Sequence, residues 1–572
     1  MAEYLAPGVY VEEFDSGVKA MEGVGTSTAG FVGLAEKGPA SGRPVLLTSF
    51  AQFQRRFGGY LDPLEYGPYR YLPNAVEQFF TNGGSACYVM RAVPGDAAAA
   101  KSADGPVVIE AKDPGAWANA MQVAFTRTVR AKTQILAVED GAGGKQYRLK
   151  NAAGFRAGDL AAWRGEDGAA VYCKVTAVNG PLVGLEPELP GDAADDGLVP
   201  KRTLEACGVD MAVRCGGQEE LYPGCSLNPS APDYLAAALE KSVMASMALT
   251  LPDGPDDPLA LLGGSPDGDS LCVGLSGGTN GSMDAVDAGT FNGADLGPGR
   301  RTGIEAFQEI GDVSILAVPG ITDPSVQAKL IAHCEGLTSR FAVLDAPPDC
   351  TAVDELNRFR GAYDTSYAAL YAPWVQVYDP LLRRPTFLPP SGSVCGVYAR
   401  TDIQRGVFKA PANEIVQGCT GLSVSYNEAE QGKLNPNGVN LIRAIPGQGI
   451  RVWGARTCSS DGNWKYVNVR RLFIFLEESI RANTGWVVFE PNDEALWSRV
   501  KGTVSLFLET QRRAGALMGS TPEQAYYVEV GRSTMTQDDI LNGRLICEIG
   551  VAPVRPAEFV VFRITQVTQS AT

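Results

Sequence analysis

The stretch Glu558-Phe-Val-Val-Phe-Arg-Ile-Thr-Gln-Val567 constrains this chain more than any other. Val560, Phe562 and Ile564 fall on one face and a mixed set on the other, the period-two pattern of a half-buried strand. A tight hairpin with the preceding β-rich run, Arg544–Val551, is disfavoured because Pro553 and Pro556 interrupt the chain between them. The other end poses the same problem. Tyr4-Leu-Ala-Pro-Gly-Val-Tyr-Val-Glu-Glu13 is β-rich and runs into a glycine-rich stretch around Gly23 and Gly25. The unpaired N–H and C=O groups of such strands must be satisfied somewhere. Either both ends tuck into the chain's own sheets, or they pair with another copy, which would make the chain a polymer subunit.

A chain of 572 residues is too long for one hydrophobic core, so about three or four domains are expected. No apolar run approaches the roughly 20 residues a membrane-spanning helix requires. The N-terminus lacks a basic region followed by an apolar stretch, so synthesis and assembly in a cytoplasm are expected. A net charge of −16 argues against a broad nucleic-acid surface, which needs a basic stripe. The twelve cysteines include no C-x-x-C pair, and the closest, Cys207, Cys215 and Cys225, lie in a segment that reads as a loop. With a single histidine to support them, they read as reduced, small core residues rather than metal ligands.

Along the chain, Thr26–Leu34 and Pro44–Leu47 read as strands, Tyr71–Phe80 as a short helix stopped at Asn82-Gly-Gly84, and Ala86–Val93 as a buried strand. Composition shifts near Ala97. From Thr133 to about Pro190, short β-like runs separated by Gly and Asp predict a small inserted all-β domain, barrel or sandwich. Residues 254–303 read as surface loops. From Asp312 strands alternate with helices: Val313–Val318, a helix capped by Asp323 with Pro324 first, Phe341–Leu344, a helix from Thr351 to Phe359, strands at Tyr367–Tyr371 and Val375–Tyr378, and a helix opened by Ser391. This alternation predicts a mainly parallel sheet covered on both faces. Farther on, Val469, Leu472, Phe473, Leu476 and Ile480 form one helical stripe, and Asn492 is expected to cap a second long helix. The expected class is therefore α/β and α+β multidomain: a central α/β sheet domain, an inserted small β domain, an α+β C-terminal domain and extended terminal arms. Boundaries are placed at 1–22, 23–96, 97–300, 301–420, 421–556 and 557–572.

No catalytic or cofactor constellation emerges. His333 sits mid-helix beside Cys334, and no G-x-S-x-G elbow or phosphate-binding G-x-x-x-x-G-K-[ST] loop occurs. Asp253, Asp256, Asp257, Asp267 and Asp269 lack calcium-loop spacing and read as solvated loop acids. Lys501, Arg512 and Arg513 form the one basic feature singled out, and such a helix face is usually simply solvated.

Ala6-Pro-Gly-Val-Tyr-Val-Glu-Glu13, Gly25-Thr-Ser-Thr-Ala-Gly-Phe-Val-Gly33 and Lys37-Gly-Pro39 resemble the opening of contractile tail sheath proteins. Asn468-Val-Arg-Arg-Leu472, Phe489-Glu-Pro-Asn492 and Phe559-Val-Val-Phe-Arg-Ile564 resemble that family's last domain. The resemblance covers about the first 95 residues and the stretch from about 300 onward. It implies a non-enzymatic structural subunit without cofactors, with an α/β domain of subtilisin-like topology that lacks a triad. It further implies a helical homo-polymer of stacked hexameric rings around an inner tube protein, with baseplate and terminator proteins as partners and no direct contact with nucleic acid or membrane. Tyr4, Val9, Tyr10 and Val11, and Phe559, Val560, Val561, Phe562, Arg563 and Ile564, would be the inter-subunit strands. Lys501, Arg512 and Arg513 would face the tube. The competing classes are an α/β hydrolase-like enzyme and a monomeric binding module that uses the β insert for recognition. Whether the parent particle is a phage or an injection system is left open by the residues.

Overall fold

The structure is a computed structural model that describes residues 21–141, 144–164, 169–190, 203–561 and 563. The chain divides into two units. One takes residues up to Ala35, Ser41–Ala92 and everything from Ala288; the other takes Glu36–Ala40 and Val93–Asp287.

The first unit is built on a nine-stranded sheet. In spatial order its strands are Val45–Leu47, Cys87–Ala92, Ala29–Leu34, Ile315–Ala317, Phe341–Asp345, Ala368–Ala372, Val439–Ile445, Gly449–Val452 and Glu414–Ile415. The six from Cys87–Ala92 to Val439–Ile445 are parallel, and the flanking strands are antiparallel. Ala29–Leu34, Cys87–Ala92, Phe341–Asp345 and Ala368–Ala372 are buried at every position, so both faces of the sheet are covered. The continuous apolar runs of these strands follow from that double burial. Phe31 and Phe79 meet edge-on at 5.6 Å in the resulting core, which also takes Val89, Phe341, Tyr371 and Tyr398.

Helix Ser391–Arg405 has an unusual start. Pro390, at its N-cap, makes no side-chain cap bond. Asp345, from the end of its strand, accepts from Ser391 N at 2.8 Å, Ser391 Oγ at 2.7 Å and Gly320 N at 2.9 Å. A residue distant in sequence thus supplies the acceptor that the helix terminus lacks.

The C-terminal part of this unit packs helix Val467–Asn483 against helix Glu494–Arg513. Leu472, Leu476, Leu496, Val500, Val504, Phe507 and Leu508 form the seam, as the helical stripes require. The cap of the second helix is Asp493, which accepts from Leu496 N at 2.9 Å, and not the expected Asn492. Asn492 is occupied elsewhere: it accepts from Trp497 Nε1 and donates to the Arg544 carbonyl. Strands Tyr526–Val530 and Cys547–Val551 close this part as an antiparallel pair.

The second unit holds an antiparallel sheet in the order Ser270–Gly274, Gln122–Thr133, Thr203–Cys215, Leu160–Arg164, Ala170–Asn179, Leu182–Glu186, Gly144–Leu149 and Ile135–Gly141. Gln218–Cys225 pairs with Thr203–Cys215 outside that path. Cys207, Cys215 and Cys225 therefore lie in a β-hairpin, not in the loop the sequence suggested. Its turn is Gly216-Gly217, with φ of 53° and 80°, which is the positive-φ pair of a type I′ connection. Asp257 also departs from expectation. It is buried, caps Pro258–Leu261, pairs with Arg127 at 2.7 Å and accepts from Tyr172 Oη, so it is not a solvated loop acid. Residues 254–303 are likewise not all loop, since they contain strand Ser270–Gly274.

Candidate assembly interface

After strand Cys547–Val551 the chain is fastened at successive points. Ala552 N donates to the Ala525 carbonyl at 2.8 Å, Val554 N donates to the Ala516 carbonyl at 3.2 Å, and the Val554 carbonyl accepts from Asn468 Nδ2 at 3.2 Å. The last fastening is Glu558. Its Oε1 accepts from Arg456 Nε at 2.7 Å and Asn435 Nδ2 at 2.6 Å. Its Oε2 accepts from Arg456 Nη2 at 2.6 Å and Tyr466 Oη at 3.0 Å, with Lys465 Nζ at 3.8 Å. Partial burial opposes ionisation, but Arg456, Asn435 and Tyr466 together hold this carboxyl below its ordinary range. A two-pronged guanidinium–carboxylate pair is among the stronger non-covalent contacts available to a side chain.

Immediately beyond this anchor the chain turns apolar and exposed. Phe559, Val560 and Val561 are 73%, 69% and 76% accessible and have no ladder partner among the described residues. Three consecutive large apolar side chains in water are a costly arrangement for an isolated subunit. Arg563 is exposed too, whereas Phe562 and Ile564 lie outside the described residues. The expected N-terminal strand residues Tyr4, Val9, Tyr10 and Val11 also lie outside them.

The chain that leads from those N-terminal residues is clasped along helix Val467–Asn483. The Glu22 backbone exchanges bonds with Asn483: its N–H donates to Oδ1 at 3.4 Å, and its carbonyl accepts from Nδ2 at 2.9 Å. Val24 N donates to Ser479 Oγ at 3.1 Å, and Arg471 Nη2 donates to the Thr26 carbonyl at 2.8 Å. Gly23 lies over the Phe475 ring, where a Cβ would come within 2.7 Å of Cζ. Arg471 is itself locked to Asp402 at 2.6 Å, and both side chains are almost wholly buried.

The strand pair Tyr526–Val530/Cys547–Val551 is the neighbouring backbone feature. Val528 faces the helical seam, and the Tyr527 ring covers Gly550 on the other face. No other strand among the described residues pairs with either outer edge. A two-stranded sheet with both edges open can accept a further strand on each side.

The expected basic residues lie on helix Glu494–Arg513, but they are not equivalent. Arg512 and Arg513 both pair with Glu509, at 2.7 and 2.8 Å, and pull its carboxyl down to about 2. Arg512 also donates to the Ser520 carbonyl. Lys501 is exposed farther up the helix. His333 is buried, and its Nε2 lies 3.2 Å from Arg340 Nη1. Burial, with Arg340 and Lys329 nearby, pushes its pKa down to about 3, so the imidazole is neutral and locked in packing.

Comparison with known proteins supports one reading of these features. Residues 283–458 match the phage tail sheath protein central domain, and residues 459–567 match the phage tail sheath C-terminal domain. A prophage major tail sheath protein of Pseudomonas aeruginosa strain UCBPP-PA14 is 25% identical, over 46% of this chain and 69% of its own length. The tail sheath protein of Burkholderia phage BcepMu is 28% identical, over 41% of this chain and 53% of its own length. In fold, the chain is similar to the sheath complex of an extracellular contractile injection system, PVC, in the contracted state. The TM-score is 0.52 at 21% identity, with 99% of each chain covered. The chain belongs to the contractile tail sheath family.

Proposed function

We propose that this chain is the structural subunit of a contractile sheath, polymerised around an inner tube and joined to its neighbours by exchanged terminal strands. One observation carries the proposal: a firmly anchored chain turns into an exposed apolar segment, and the same unit holds a two-stranded sheet that no further described strand pairs with. In this reading, Phe559–Ile564 of one copy adds to the Tyr526–Val530/Cys547–Val551 sheet of another. A strand from residues 4–11 of a further copy takes the remaining edge. The donors and acceptors sit on different elements, so the contact is heterologous and propagates as an open helical lattice of stacked rings. The α/β unit, of subtilisin-like topology without a triad, serves as a rigid body, and the linking strands act as hinges while those bodies rotate during contraction.

Assembly takes place in a cytoplasm, on a baseplate and tube, and is closed by a terminator protein. Stored conformational energy, rather than an enzymatic reaction, drives the tube. Lys501 with the free share of the Arg512–Arg513–Glu509 cluster is the charged contact to the tube.

The test is Val561→Pro, which removes a ladder donor and fixes φ, alongside Phe562→Asp. Val561 is exposed in the subunit, so its replacement should leave the monomer folded while abolishing tubular polymers seen by electron microscopy. Wild-type-like tubes from both variants would refute strand exchange.

A further inference from the structure

The two arm roots converge on one element. At the N-terminal end of helix Val467–Asn483, Asn468 holds the Val554 carbonyl, and Tyr466, just before the helix, donates to Glu558. Along the rest of the helix, Arg471, Phe475, Ser479 and Asn483 recur every fourth residue and so form one row on its surface. That row holds residues 22–26, which run opposite to the helix: Glu22 is held by Asn483, Val24 by Ser479 and Thr26 by Arg471. The outgoing C-terminal segment is thus tied at one end of a 17-residue helix, and the segment leading back to residue 20 is tied at the other. At 1.5 Å per residue that helix is about 26 Å long.

We infer that helix Val467–Asn483 is a strut joining the two arm roots, so that tension passed from copy to copy crosses each subunit along this helix. Glu558 and the Arg471–Asn483 row are its two fittings and act as positioning residues. The inference rests on the strand-exchange reading. It adds to that reading that the backbone between each clasp and the helix stays fixed while the sheath rearranges. The chemistry suits such a role. Each clasp consists of side-chain-to-backbone or charge-assisted bonds that must break together when the segment is pulled lengthwise.

Three full-length variants test this: Glu558→Ala, the double variant Ser479→Ala/Asn483→Ala, and the charge exchange Arg456→Glu/Glu558→Arg. A fourth chain stops after Glu558, so that it keeps the anchor and has no C-terminal strand. Purified sheaths are triggered to contract in mild urea, and broken ends are counted by electron microscopy. Glu558→Ala and the double variant should form tubes of wild-type length, because their arms are intact, but break on contraction about tenfold more often. The charge exchange should restore integrity, which a purely steric role of Glu558 would not allow. Arg456→Lys, which keeps the charge and loses the two-pronged geometry, replaces Glu558→Ala should the latter fail to fold. Contracted sheaths as intact as wild type in both root variants overturn the strut while leaving strand exchange standing. Normal tubes from the chain lacking the strand overturn strand exchange itself.

Discussion

Asp402 and Arg471 offer a sharp test of how the C-terminal part is tied to the α/β sheet. Their side chains are 3% and 4% exposed, and the carboxylate receives Nη2 at 2.6 Å and Nη1 at 3.0 Å. Burial nevertheless raises the Asp402 carboxyl above its ordinary range, even with Arg471 beside it. Desolvation therefore outweighs the attraction at this carboxyl. Removing one partner is a different matter. Asp402→Leu leaves a guanidinium in a dry site with only the Thr26 carbonyl and the Tyr398 ring face, 4.8 Å away, to receive it. The expected cost is about 3–5 kcal/mol. Asp402→Leu/Arg471→Met removes both charges and loses chiefly the Thr26 bond, about 0.5–1.5 kcal/mol, and the ring contact, about 1 kcal/mol. The double variant should thus be about 2 kcal/mol more stable than the single. The measurement is urea unfolding in the Val561→Pro background, in which the proposed strand exchange should be blocked. It is followed by hydrogen exchange in helices Ser391–Arg405 and Val467–Asn483, because a two-unit chain need not unfold in one step. A single variant that loses less than about 1 kcal/mol, or a double variant no better than the single, would refute the reasoning.

Two buried titratable groups should oppose each other in the pH profile of the subunit. Asp345 is pushed up to about 6 by burial, against its bonds from Gly320 and Ser391. The native state therefore holds this proton longer than the unfolded one, and the Asp345 contribution, complete below about pH 4, is lost as pH rises through 6. Asp345→Asn should flatten that slope whatever its baseline. His333, held neutral down to about 3, has the reverse sign: its contribution is present above about pH 6.5 and is lost as pH falls. His333→Gln, which still offers Arg340 an acceptor, should reduce acid lability between pH 6 and 4, and an unchanged acid limb would show that other groups set it. Phe489 occupies the third position of a turn closed by Glu490 N to the Val487 carbonyl. Its φ is 68°, where glycine is favoured, and its ring is fully exposed. Phe489→Gly should raise subunit stability by up to about 1 kcal/mol, as relief of left-handed strain of about 1–2 kcal/mol exceeds the added chain entropy. A loss of stability in urea titration would show that the ring has a partner within the subunit.

The sequence was most readable where burial is complete. Phe341-Ala-Val-Leu344 and Tyr367–Tyr371 are apolar runs because both faces of their sheet are covered, and they appear as strands Phe341–Asp345 and Ala368–Ala372. Of the expected helical stripe, Leu472, Leu476 and Ile480 meet the C-terminal core and Val469 is buried, whereas Phe473 packs edge-on against Trp464, and Ile474, off the stripe, enters the sheet's core because this helix buries two faces. The hairpin Thr203–Cys225 was missed because Gly208, Asp210 and Pro223 dilute its alternation, although Gly216-Gly217 was a usable turn signal. Asp345 and Glu558 could not be singled out at all. Their partners Ser391 and Arg456 lie 46 and 102 residues away, and nothing local distinguishes either carboxylate from any other. The exposed Phe559–Val561 run is the converse case: its alternation was legible, and its lack of a partner within the chain is a matter of three-dimensional placement.

The interleaving of the two units has a consequence for biosynthesis. Strand Ala29–Leu34 lies in the middle of the parallel sheet, yet its neighbour Ile315–Ala317 follows only after the whole of Val93–Asp287 has been translated. At about 5–20 residues per second, the ribosome leaves that strand waiting on the order of 15–60 s. During this interval Val93–Asp287 can complete its own antiparallel sheet, while Ala29–Leu34 and Cys87–Ala92 stand paired with each other and bare on the side that Ile315 will cover. The nascent chain is most vulnerable to aggregation in this window. Slowing elongation across residues 93–287 should therefore lower the yield of soluble subunit more than the same delay placed after residue 345.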